Sequence, residues 1–230
     1  MLGPKLSVVD PRSAIERREQ LVALYKEMRD CHDCPLSEAR SNVVFGAGNA
    51  DAELMFVGEA PGRFEDEQGL PFVGRAGQLL NELLQEVGLE RKDVFITNVL
   101  KCRPPGNRDP LPDEIQACKP YLYRQVELIR PLVVCTLGNF ATKLLTRSNR
   151  GIMSVRGRPQ VHELGGRRVR LYPLCHPAAA LRTPATLDAL RQDFSRLRQL
   201  LAEPPLEEPG NPSAEAQAEP VPAPQLDLFA

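Results

Sequence analysis

An α/β domain built on a parallel sheet is the fold this sequence predicts, and three observations carry the prediction. Short apolar runs rich in Val, Ile and Phe alternate with segments whose apolar residues recur every three to four positions, as strands alternate with helices. One run, Leu54-Met55-Phe56-Val57, is closed by glycine, crosses a polar loop and opens into a helical pattern at Leu79, Leu80, Leu83, Leu84 and Val87. A hydrophobic content of 42% over 230 residues is enough for a sizeable core, so one domain with a tail is expected.

The elements follow in order. Residues 12–30 carry apolar positions at Leu21, Leu24, Tyr25 and Met28, an amphipathic helix that ends at Cys31. Residues 42–46 read as a short strand, 54–57 as the next, and 94–98 as a β-branched third. Pro112 with Asp113 and Glu114 starts a helix to about Ile129, since proline and acids suit a first turn. Residues 132–137 form a buried strand, 139–145 a helix, 152–171 a hairpin turning at Gly165-Gly166, and 169–175 a strand running into His176. Residues 186–201 complete the helices. From Pro204 onward Pro, Glu, Ala and Gln follow without periodicity, which predicts a disordered tail over 204–230 behind a domain of residues 1–203.

The loop from Gly58 to Gly74 holds four glycines, prolines at 61 and 71, the carboxylates Glu59, Glu65, Asp66 and Glu67, and two aromatics, Phe64 and Phe72. Glycine and proline fix a backbone that turns tightly or approaches a ligand, and ligands bind beyond the carboxyl ends of parallel strands. Glu59, Asn98 and His176 each fall at or just past such an end, so one crevice is expected to collect them.

Net charge is −1, but residues 1–202 hold all 29 Lys and Arg against 24 of the 30 acids, a net +5. Seven arginines between Arg147 and Arg170 face only Glu163, a run that suits either a solvated face or a phosphate-binding surface. No apolar run approaches the length of a membrane span and no secretory leader is visible, so an intracellular, cytoplasmic protein without membrane contact is expected. In that compartment disulfides are disfavoured. Cys31 and Cys34 share one turn, with Cys102 and Cys118 more distant, and such a set of four thiolates accepts zinc or an iron–sulfur cluster. Cys135 and Cys175 read as core residues.

The segments GEAPGRFEDEQGLPFVGRAGQLL, TNVLKCRPPGNRDPLPDE and HPAAALR resemble the motifs of the family 4 uracil-DNA glycosylases of bacterial type. The match runs from about Val22 to Leu201, with the motifs in family order. The resemblance implies a three-layer α/β/α sandwich around a central four-stranded parallel sheet. It also implies a [4Fe–4S] cluster on Cys31, Cys34, Cys102 and Cys118. Carried over by position, Phe72 stacks on a flipped uracil and Asn98 pairs with its O4 and N3–H. Glu65 stands near C5 to exclude thymine, and the motif stretch includes Pro61 in the substrate pocket. His176 and the backbone N–H of Ala60 donate to O2, Leu181 fills the gap in the stack, and Arg182 holds a phosphate.

Better-known uracil glycosylases carry a water-orienting aspartate where this chain has Ala60, which leaves Glu59 to position water or steady the sugar cation. Relatives that trap the abasic sugar carry a histidine-containing insert after the Asn strand. Here that place reads RPPGNRDPLPDE, so a monofunctional enzyme of base excision repair is expected; a monomer is expected as well. The alternative is a non-catalytic iron–sulfur DNA-binding or redox module on the same fold. Finally, Gln225, Leu226, Asp227, Leu228 and Phe229 resemble the pentapeptide by which bacterial repair and replication proteins bind the sliding clamp.

Overall fold

The structure, a computed structural model, describes residues 11–206. The helices are α1 (Pro11–Arg29), α2 (Leu36–Ala39), α3 (Arg63–Gln68), α4 (Arg75–Glu86), α5 (Pro112–Ile129), α6 (Asn139–Thr146), α7 (Ile152–Val155), α8 (Pro177–Ala180), α9 (Pro184–Phe194) and α10 (Leu197–Ala202). The strands are β1 (Ala47–Gly48), β2 (Leu54–Gly58), β3 (Phe95–Asn98), β4 (Val133–Leu137), β5 (Gln160–Leu164) and β6 (Arg167–Leu174). They form one sheet in the order β1-β3-β2-β4-β6-β5. The inner four, β3-β2-β4-β6, are parallel, as expected, and an antiparallel strand closes each edge.

Alternation along β2 shows how the layers form. Leu54 and Phe56 face a core shared with Leu79, Leu80, Leu83 and Leu84 of α4 and with Leu190 and Phe194 of α9. Met55 and Val57 face the other way, onto Leu24 and Met28 of α1 and Leu122, Val126 and Ile129 of α5. Successive strand residues point to opposite faces, so a continuously apolar strand must be covered on both sides. Each such buried Leu or Phe contributes roughly 1.5–3 kcal/mol. A third, smaller cluster gathers Leu36, Leu100 and Cys102 with Cys34 and Cys118 at the end of the sheet.

Four local expectations need correction. Residues 42–46 form no strand: Val44 N–H donates to the Lys101 carbonyl at 2.8 Å, while the Phe45 carbonyl accepts from the Thr97 hydroxyl and the Gln125 amide, each at 2.8 Å. A loop carbonyl and two side chains satisfy this backbone in place of a ladder, and Gly46 at φ +136° breaks the extended run. The loop after β2 contains α3, whose buried Asp66 carboxylate accepts from Ser41 N–H at 3.0 Å. The hairpin does turn at Gly165-Gly166, both at positive φ as a type I′ turn requires, but it starts at Gln160 because residues 152–155 are helical. The last helix is two helices, broken at Ser195-Arg196.

The arginine run also divides. Arg156 pairs with buried Asp193 at 2.9 Å, and Arg170 pairs with Glu203 at 2.7 Å and donates to the Pro204 carbonyl at 2.6 Å. Arg147, Arg150, Arg158 and Arg168 are exposed. Of the tail, residues 207–230, including the clamp-like pentapeptide, lie outside the described residues.

Candidate active site and thiol set

The chain leaves β2 toward β3 on one side and leaves β4 toward β6 on the other, so the sheet has its switch point between β2 and β4. Parallel register brings Gly58 level with Asn98, and Leu137 level with Leu174. A cavity of about 410 Å³ opens at these carboxyl ends. It is lined by Glu59, Ala60, Pro61, Glu65, Phe72, Asn98 and His176, seven of the nine residues expected to act on substrate. Leu181 and Arg182 lie outside it, exposed at the end of α8. Asn107 and Arg108 also line the cavity and were not expected there from the sequence, although both belong to the segment TNVLKCRPPGNRDPLPDE.

Asn98 is 1% exposed, and its Oδ1 has no hydrogen-bond partner among the described residues. A buried acceptor left open at a cavity wall is costly unless a ligand fills it. Gly58 makes room for it: a Cβ there would lie 2.3 Å from Asn98 Oδ1 and 2.8 Å from the Phe72 ring. Phe72 is buried, and its ring lies 5.7 Å from that of His176 at an interplanar angle of 28°. Its φ of +52° is left-handed, a conformation that costs a side-chain-bearing residue about 1–2 kcal/mol.

The His176 Nδ1 accepts from the Ala178 N–H at 3.1 Å, capping α8. An accepting Nδ1 fixes the tautomer, so the ring proton sits on Nε2 and is free to donate. Burial lowers the pKa of His176 to about 4, so the imidazole is neutral. Burial, with Asp109 adding to it, raises Glu59 above the ordinary carboxylate range. Glu65 turns one oxygen to the loop after α3, accepting from Val73 N–H at 3.0 Å and Gly74 N–H at 2.9 Å.

Cys31, Cys34, Cys102 and Cys118 line a second cavity, with Arg40, Lys101 and Tyr121. Its volume is about 10 Å³. Among the described residues no three Cys, His, Asp or Glu form a group that would hold a single metal ion. The sulfurs are provided for otherwise: Arg40 donates to Cys102 Sγ at 3.4 Å and Lys101 N–H to Cys118 Sγ at 3.2 Å. Donors aimed at sulfur stabilise thiolates and tune clusters. Burial raises Cys34 and Cys102 and pushes Cys118 up to about 12, so these remain thiols until a metal displaces their protons. Cys135 and Cys175 are buried in the main core, as expected.

Residues 45–201 match the model of the uracil DNA glycosylase superfamily. A type-4 uracil-DNA glycosylase of Saccharolobus solfataricus is 46% identical over 193 residues, 82% of this chain and 89% of that protein. One of Thermotoga maritima is 48% identical over 167 residues, 72% and 85% of the two chains. A type-5 uracil-DNA glycosylase of Pyrobaculum aerophilum is more distant, 30% identical over 146 residues, 57% and 63% of the two chains. The chain therefore belongs to the uracil DNA glycosylase superfamily, in its type-4 branch.

Proposed function

We propose that this protein hydrolyses the N-glycosidic bond of uracil in DNA and leaves an abasic site. The observation that carries the reading is the buried Asn98 amide, its Oδ1 unpartnered, in one cavity with the Phe72 ring and the neutral His176 imidazole. The target nucleotide leaves the stack to enter the cavity, because its glycosidic bond is out of reach in a duplex. Phe72 stacks on the base. Asn98 Oδ1 accepts N3–H and its amide N–H donates to O4, a pattern that cytosine does not present. Glu65 guards the C5 edge against a methyl group, and Pro61 shapes the wall beside it.

Water adds its oxygen to C1′ while the C1′–N1 bond breaks, and the bonding electrons leave on the base as N1/O2 anion. His176 Nε2–H and the Ala60 N–H donate to O2, where that charge develops, and such preorganised donors are usually the largest catalytic term. Glu59 orients the water and takes up its proton. Leu181 occupies the vacated stack and Arg182 meets a phosphate. With no amine nucleophile in this set, the enzyme is monofunctional.

Cys31, Cys34, Cys102 and Cys118 hold a [4Fe–4S] cluster. Four thiols around one cavity, provided with N–H···S donors, support the cluster reading. When bound, it ties the end of α1 to the loop after β3 and to α5. The pentapeptide from Gln225 to Phe229 binds a sliding clamp, which keeps the enzyme beside DNA. Among the described residues no helix is long and apolar enough to cross a membrane.

A uracil-containing oligonucleotide, incubated with the protein and then treated with alkali, is expected to break at the uracil. Asn98→Asp, which offers only acceptors when ionised, is expected to lose uracil excision by orders of magnitude. Intact strands from the wild-type protein, or near-normal excision by the variant, would overturn the reading.

A further inference from the structure

Phe72 does not adopt its left-handed backbone unaided. Charged side chains clamp the four-residue loop Pro71 to Gly74 from both directions. Glu65 accepts from the N–H groups of Val73 and Gly74. On the carbonyl side stands Arg91, half-buried at the start of the turn that precedes β3. Its guanidinium donates to the Phe72 carbonyl at 3.1 Å and to the Pro71 carbonyl, and its Nη1 also reaches Asn81 Oδ1 of α4 at 3.3 Å. Gly77 completes the seat, since a Cβ there would lie 1.7 Å from the Phe72 carbonyl oxygen. One planar fork satisfying two successive carbonyls fixes their relative orientation, and with it the direction of the ring.

We propose that Arg91 is a positioning residue for recognition of the flipped base: it locks Phe72 in its left-handed conformation and so presents the ring face to the cavity. The proposal rests on Phe72 being the stacking platform of the proposed glycosylase. Arg91 is absent from the cavity lining, so its effect on substrate runs through Phe72.

A double-mutant cycle tests this. Wild type, Phe72→Ala, Arg91→Ala and the double variant are assayed for kcat and KM on a single-stranded uracil oligonucleotide and for inhibition by free uracil. Phe72→Ala is expected to weaken uracil affinity and raise KM roughly 5- to 100-fold, the range of one base–aromatic stack. Arg91→Ala is expected to weaken the same two quantities with kcat held within about threefold, as loss of uniform binding does. In the Phe72→Ala background it is expected to cost less than about twofold, because the residue it positions is gone. Arg91→Lys, which keeps the charge but not the fork, should fall between wild type and Arg91→Ala, and it replaces that variant in the cycle if Arg91→Ala does not fold.

Fully additive losses in the double variant would overturn the proposal and make Arg91 a general structural residue. Unchanged uracil affinity in both Arg91 variants would overturn it as well. If Phe72→Ala itself leaves affinity and KM unchanged while uracil is still excised, the stacking role of Phe72 falls, and Arg91's with it. If wild type excises no uracil, the proposed function has failed first.

Discussion

Replacing His176 by asparagine separates two things the imidazole does. Asn98 and Phe72 are untouched, and an asparagine at the start of α8 still offers an oxygen to the Ala178 N–H that His176 Nδ1 now caps. What disappears is the Nε2–H donor and the titration. The folded imidazole titrates at about 4, against an ordinary value near 6.5. Between those values the unfolded chain binds a proton that the folded chain refuses, so stability is complete above 6.5 and declines as pH falls toward 4.

Integrated from about pH 7.5 down to about pH 5, the difference comes to about 2 kcal/mol. In a chain of this size that is about 4–8 °C of melting temperature. The melting temperature of wild type is therefore expected to fall by that amount relative to His176→Asn as pH drops across this range, since every other titrating group is common to both. Single-turnover excision by wild type should show no His176-dependent rise as pH drops through 6.5, because the neutral ring is the donor. At neutral pH the variant should release uracil roughly 100- to 1000-fold more slowly. A melting difference independent of pH would refute the buried neutral imidazole. A rate that climbs with protonation of His176 would make imidazolium the active form.

Two further outcomes are expected. Protein purified without air should be brown, with about four iron per chain, and Cys102→Ala should lose both colour and thermal stability; stoichiometric zinc in place of iron would contradict the cluster. Deleting residues 224–230 should leave excision on short oligonucleotides unchanged and abolish retention on immobilised sliding clamp, and equal retention by both proteins would mark the pentapeptide as an accident of composition.

How far the sequence disclosed this molecule depends on what kind of physics each feature uses. Leu54 to Gly58 was legible because a strand covered on both faces is continuously apolar, and Pro112 to Ile129 because its cap and periodicity agree. The segment 42–46 has strand-like residues, yet its backbone partners are Thr97, Lys101 and Gln125, far away in sequence, and no local pattern encodes them. Helix α3 lacks an apolar stripe, being held by Asp66 reaching across to Ser41. The cavity was legible from three strand ends and one glycine-rich loop. Arg91 was not, since a half-buried arginine that grips two carbonyls looks in sequence like any surface cation.

The cavity and the thiol set appear separate, but a single residue connects them. Asn98 ends β3 and Cys102 follows four residues later, with Lys101 between. Lys101 is 1% exposed, and its Nζ donates to Thr97 Oγ1 at 2.6 Å, the Asn98 carbonyl at 2.8 Å and Gln125 Oε1 at 2.6 Å. Thr97 and Gln125 spend their own protons on the Phe45 carbonyl, which leaves both oxygens to accept. Gln125 belongs to α5, the helix that also carries Cys118, and the Lys101 N–H donates to the Cys118 sulfur. One side chain thus pins the end of β3 to α5, while its backbone is pinned to a thiol. Lys101 stands in direct hydrogen-bond contact with both the Cys118 sulfur and the carbonyl of Asn98. A buried lysine with three acceptors cannot relax without leaving them unpaired. The thiol set and the backbone that carries Asn98 at the end of β3 are therefore tied together through Lys101.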